Sequence, residues 1–150
     1  NKVRRENELS SALANNGLEV YYQRLYDSKS VEFASVEALL RWNNSEMGQI
    51  GPSMFIHIAE QTGLILEIGE WTMRQACVQA KEWVDAGVTD MRVAVNLSPV
   101  QLRTDGLYEA IHKILKETGL RPQNLEFEVT ENAMLEDLVE ANHIVQKLRE

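Results

Sequence analysis

Cysteine is almost absent: Cys77, inside the helical stretch "MRQACVQAKEW", is the single one, which excludes an intrachain disulfide and a thiolate metal cluster. A reducing, cytoplasmic setting is the expectation that follows. Long apolar runs are missing too. None approaches the roughly 18 residues of a membrane span, and the N-terminal "NKVRRENELSSALANNG" is a charged helical pattern without the apolar centre of an export signal. Basic residues are outnumbered, 15 Lys and Arg against 23 Asp and Glu, for a formal net charge of -8. That balance excludes broad nonspecific binding to DNA, which needs a basic surface against the phosphates, and an anionic ligand would need bound cations. The three histidines, His57, His112 and His143, lack the i,i+4 spacing of a zinc-binding helix, so packing or solvent accounts for them. No glycine-rich phosphate loop of the Walker or Rossmann type occurs.

What is present suffices for one domain with a real core: 150 residues, of which 44% are hydrophobic. "ENELSSALANNG" has helical spacing and stops at Gly17. "LEVYYQRLY" and "VEFASVEALLRW" are two strand candidates, and the connecting "DSKS" makes a hairpin plausible. "PSMFIHIAEQTG" predicts a short helix between a proline and a glycine, and "LILEIGEWTMRQACVQAKEWVDAG" a long one ending at Gly87. Strand "MRVAVNLS", helix "LYEAIHKILKETG", strand "NLEFEVTE" and helix "LEDLVEANHIVQKLRE" complete the chain. Strands alternating with helices of this length imply right-handed crossovers and a parallel sheet, an α/β fold.

Strands of such a sheet should be almost wholly apolar, and three of these are not. In "FASVEALLRW", alternation puts Ala34, Val36, Ala38, Leu40 and Trp42 on one face and Phe33, Ser35, Glu37, Leu39 and Arg41 on the other. "VAVNLS" adds Asn96, and "LEFEVTE" sets Glu126, Glu128 and Thr130 opposite Leu125, Phe127 and Val129. Each has a structural explanation when taken singly: Asn96 could open a turn, the glutamates could face water, and Glu37 could pair with Arg41. Together they are harder to dismiss, because burying several carboxylates costs several kcal/mol apiece without compensation. A cation is the economical compensation. Glu, Asn and Glu supply hard oxygens, which suit Mg2+ or Mn2+ rather than zinc. Arg41 on the face of Glu37 could hold a phosphate oxygen, which points to metal-assisted phosphate chemistry.

From about Leu18 to Glu150 the blocks "YYQ", "EALLRW", "FIHIAEQTGLI", "IGEWTMRQAC", "VAVNLSPVQL", "ETGLRP" and "LEFEVTEN" occur in an order and spacing that resemble the EAL domain family, the bacterial cyclic di-GMP phosphodiesterases. The resemblance implies a modified TIM (β/α)8 barrel whose first strand is antiparallel, with this chain holding its first half or slightly more. It implies hydrolysis of cyclic di-GMP to linear pGpG with Mg2+ or Mn2+. It also implies that Glu37, Asn96 and Glu128 are metal ligands, that Gln23, Leu39 and Arg41 contact substrate, and that Glu131 braces the active-site loop and belongs with Glu37 to the catalytic set.

Two local departures from the family pattern are Arg24, where proline usually follows the glutamine, and Ser35, where glycine usually stands. The family's paired aspartates, lysine and later glutamate and glutamine fall beyond Glu150, and such a barrel needs roughly 250 residues. The 150 residues alone are therefore expected to be inactive and to pair through open sheet edges, as a homodimer or a domain-swapped pair. Residues 1–17 resemble a linker helix to an upstream sensory or cyclase-like domain, with residues 18–150 as the barrel part, in the cytoplasm or on the cytoplasmic side of a membrane-bound sensor. The competing expectation, from another class, is a noncatalytic EAL-type receptor of cyclic di-GMP or a protein-interaction scaffold.

Overall fold

A hairpin starts the sheet. In the computed structural model, which describes residues 7–12, 17–24, 35–44, 48–50, 52–129 and 133–150, strand β1 (Leu18–Arg24) pairs antiparallel with β2 (Ser35–Asn44). Its register sets Gln23 opposite Glu37, Tyr21 opposite Leu39 and Glu19 opposite Arg41. The "DSKS" connection, Phe33, Ala34 and Glu131 lie outside the described residues. β2 then runs parallel to β4 (Arg92–Leu97), and β4 parallel to β5 (Leu125–Val129), giving the order β1-β2-β4-β5. The antiparallel first strand and the parallel β2-β4-β5 run are as the sequence predicts.

The crossovers are helical. α2 (Pro52–Thr62) and α3 (Ile65–Asp85) lead from β2 to β4. The four-residue α4 (Pro99–Leu102), α5 (Leu107–Thr118) and a 3-10 turn at Pro122–Asn124 lead on to β5, and α6 (Leu135–Leu148) follows it. The alternation of β2 is realised: Ala38 and Trp42 are 3% and 2% exposed, while Glu37, Leu39 and Arg41 on the opposite face are half-buried. On α3 the buried stripe is Ile65, Ile68, Thr72, Met73, Ala76, Cys77 and Ala80, with Trp71, Trp83 and Val84 only half-buried at its margins. Gly87, at φ +114, gives the backbone the left-handed turn after this helix that a side chain would oppose.

Two apolar cores lie on the helix-covered side of the sheet. One packs Ala38, Val93, Val95 and Leu97 of the strands against α3, α5 and α6. The other gathers Trp42, Ile50, Phe55 and Ile68 with Leu9 and Ala12, which belong to the helical residues 7–12, called α1. Trp42 and Phe55 meet edge-on, their rings 6.0 Å apart. Each such fully buried side chain contributes roughly 1.5–3 kcal/mol. The N-terminal helical turn is thus packed against the sheet, a relationship the sequence left open. Strand β3 (Gly48–Ile50), antiparallel to the end of β2, was not foreseen either.

Candidate metal and phosphate site

The face of the sheet away from these cores carries the polar residues. β2 is laddered to β4 only from Ser35 to Glu37, so Glu37 stands at the last rung of that pairing. On β4, Asn96 is the next-to-last residue, and it is directly opposite Glu128, the next-to-last residue of β5. The Asn96 amide Nδ2 donates to Glu37 Oε1 at 3.5 Å. A hydrogen bond shared with Glu37, partial burial, and repulsion from Glu37 and Glu126 push the Glu128 carboxyl up to about 7. Two carboxylates and one carboxamide therefore converge from three adjacent strands.

Among the described residues, no group of three or more His, Cys, Asp and Glu gathers for a metal; the third oxygen-bearing group beside the two carboxylates is the carboxamide of Asn96. Two carboxylates side by side, with a neutral carboxamide beside them, fit a hard divalent cation. Glu126, on the same face, is accounted for by Arg92, whose Nη1 is 3.1 Å from its Oε1. Cys77 is buried, and burial lifts its thiol to about 12, which removes it from metal and nucleophile chemistry. His57, His112 and His143 are all exposed.

The expected substrate contacts border this triad. Gln23 is exposed on β1 directly across from Glu37, and Leu39 and Arg41 continue the same face of β2. The Arg41 guanidinium donates from Nη1 to Leu40 O at 3.0 Å and lies over the Tyr21 ring, 5.7 Å from its centroid. Tyr21 is 46% exposed, an open aromatic beside a cation, and the sequence did not single it out. Its neighbour Tyr22 points the other way, edge-on to Trp83 of α3 with centroids 5.2 Å apart, so the alternation of "YYQ" is the signal that would have found Tyr21.

The EAL domain profile matches residues 6–150. The chain belongs to the EAL domain family. It is similar to the bifunctional diguanylate cyclase/cyclic di-GMP phosphodiesterase MucR of Pseudomonas aeruginosa, with 38% identity over 141 residues, 94% of this chain and 21% of that protein. The cyclic di-GMP phosphodiesterase NbdA of the same organism is 34% identical over 149 residues, 99% of this chain and 19% of its own length. Among solved structures, the MucR phosphodiesterase in complex with c-di-GMP superposes with a TM-score of 0.84 at 37% identity, over 95% of this EAL chain and 58% of that one. This EAL chain spans about a fifth of the length of these curated relatives. Its fold is accordingly the first half, or slightly more, of the modified TIM barrel.

Proposed function

We propose that the chain supplies the first-half metal and substrate groups of a phosphodiesterase that hydrolyses cyclic di-GMP to linear pGpG. The convergence of Glu37, Asn96 and Glu128 on adjacent strands carries this reading, and kinship with phosphodiesterases, one of them solved with c-di-GMP, supports it. Glu37, Asn96 and Glu128 would hold Mg2+ or Mn2+, which when bound polarises the phosphate and lowers the pKa of a water ligand. Gln23, Leu39 and Arg41 form the bordering surface. There Leu39 offers an apolar contact to a base or sugar and Arg41 a charged hydrogen bond to phosphate. Glu131, which the resemblance assigns to bracing the active-site loop, completes the proposed set.

In the reaction, the oxygen of water bonds to phosphorus and one ester oxygen leaves as a hydroxyl, taking up a proton. A general base supplied by the completed barrel accepts the water's proton. Among the described residues β1 and β5 each have a neighbour on one side only. That supports closure by further strands, from the rest of a barrel or from a second copy in a homodimer or swapped pair. Residues 1–17 as a lead from an upstream sensory or cyclase-like domain, and a cytoplasmic setting, belong to the same reading. Among the described residues, no helix is long and apolar enough to cross a membrane.

The test is to incubate the intact protein with cyclic di-GMP and Mg2+ or Mn2+ and to follow pGpG by chromatography. Metal-dependent pGpG that disappears on chelation supports the phosphodiesterase. Tight binding without pGpG would replace it by the receptor reading.

A further inference from the structure

The ladder that sets Asn96 beside Glu128 ends one residue later, at Leu97 opposite Val129. Beyond that rung β4 leads into α4 and α5, and α6 begins at Leu135. The helices share one apolar cluster, with Leu102 of α4, Ile111 and Ile114 of α5 and Ala141 and Ile144 of α6, and a charged contact is added to it. Arg103, the C-cap of α4, donates from Nε to Asp137 Oδ1 at 3.1 Å and from Nη2 to Asp137 Oδ2 at 2.9 Å, a bidentate fork. Asp137 Oδ2 also accepts from the Met134 backbone N–H at 2.9 Å, capping the start of α6. The Asp137 side chain is only 4% exposed, whereas that of Arg103 is 54% exposed.

The other end of α4 is fixed as firmly. Gln101 Oε1 accepts from Ser98 N–H at 2.9 Å, and Ser98 Oγ accepts from Gln101 N–H at 3.4 Å, a reciprocal cap two residues past Asn96. Gln101, 4% exposed, is seated on Gly69 of α3, where an added Cβ would lie 2.0 Å from its Nε2. α4 is therefore a short strut, tied to α3 and the Asn96 strand at one end and to the first turn of α6 at the other.

We infer that Arg103 and Asp137 are positioning residues for the cation site, steadying Asn96 and Glu128 near the end of the β4–β5 ladder. Neither residue touches the cation; the fork acts through α4 and the first turn of α6. This rests on the reading of Glu37, Asn96 and Glu128 as the ligands.

The test uses the intact protein and Mn2+ alone, with affinity from calorimetry and folding from the thermal midpoint. Arg103→Ala and Asp137→Asn should each weaken Mn2+ binding by about tenfold or more, as loss of support around metal ligands generally does. Arg103→Lys, which keeps the charge and one hydrogen bond, should recover part of that loss. The double variant should bind no worse than the weaker single, because both changes break one contact. Asn124→Ala serves as the control: it removes buried hydrogen bonds just before β5, at the end of that strand remote from Glu128, and should lower stability while leaving Mn2+ affinity unchanged. Folded Arg103→Ala and Asp137→Asn proteins binding Mn2+ within twofold of the parent would overturn the inference, as would an equal loss in Asn124→Ala. Glu128→Gln separates the two readings: if it binds Mn2+ as the parent does, the ligand assignment falls and the positioning role with it. If it loses Mn2+ while the Arg103 variants do not, only the positioning role falls.

Discussion

Asn96 on β4 donates its side-chain amide to Glu37 on β2, 3.5 Å away, while facing Glu128 directly across the β4–β5 ladder. One neutral residue thus stands between two carboxylates whose proximity pushes the Glu128 carboxyl up to about 7. In an α/β sheet such a residue would ordinarily be apolar. Its polar identity costs packing and is compensated if the trio receives a divalent cation.

Glu37→Ala and Glu128→Gln should therefore reduce metal-dependent pGpG formation below detection, with thermal midpoints close to that of the parent. Each change removes a cation contact from a half-buried face and leaves Ala38, Trp42 and Phe127 in place. Turnover at the parent rate by either variant would remove the ligand from the site.

Arg41 tests binding apart from chemistry. Its guanidinium rests on Leu40 O and the exposed Tyr21 ring, both weak holds from which it can turn to a phosphate. Arg41→Ala should weaken cyclic di-GMP binding by about 1.5 to 3 kcal/mol, roughly ten- to hundredfold in Kd. Calorimetry showing an unchanged Kd would rule out a phosphate contact.

The period-two alternation made the two faces of β2, β4 and β5 legible, and with them Glu37, Asn96 and Glu128, because a strand's faces follow from sequence alone. Pairing register does not. That Gln23 meets Glu37 depends on a hairpin connection whose length periodicity cannot weigh, and only the family resemblance pointed to it. β3 escaped because "GQI" is three residues, too short to show a period. The Ser98 and Gln101 cap was written in "SPVQ" as a Ser-x-x-Gln signature, which reading Asn96 as the opening of a turn passed over. The fork from Arg103 to Asp137 joins residues 34 apart, and no local pattern announces a contact at that range.

Asn124 is a strut of the same invisible kind. It is 3% exposed and donates from Nδ2 to Met91 O at 2.7 Å and Thr89 O at 3.2 Å, fastening the start of β5 to the segment entering β4. Asn124→Ala leaves both carbonyls without this donor, at a cost of about 2 kcal/mol or more. For a domain of this size that lowers the thermal midpoint by roughly 4 to 8 °C. A midpoint within a degree of the parent would show that water replaces the amide at no cost.

The Arg103–Asp137 fork also makes stability depend on pH in a definite direction. The Arg103 guanidinium, and next the Met134 N–H, hold the Asp137 carboxyl below its ordinary value. The unfolded chain then binds a proton at Asp137 more readily than the folded one, so the contribution is present in full above the ordinary aspartate value, about 3.9. It disappears as the pH falls through the lower, folded value. Asp137→Asn lacks this ionisation. Thermal midpoints of parent and variant should therefore lie well apart at pH 7, stay apart down to about pH 4, and draw together as acid protonates the carboxylate. Glu136, Glu140 and His143 line the same groove and are common to both proteins, so the difference between the two curves isolates Asp137. A gap between parent and variant that stays constant from pH 7 to pH 2.5 would show that the carboxylate's charge contributes nothing and that shape alone holds α4 to α6.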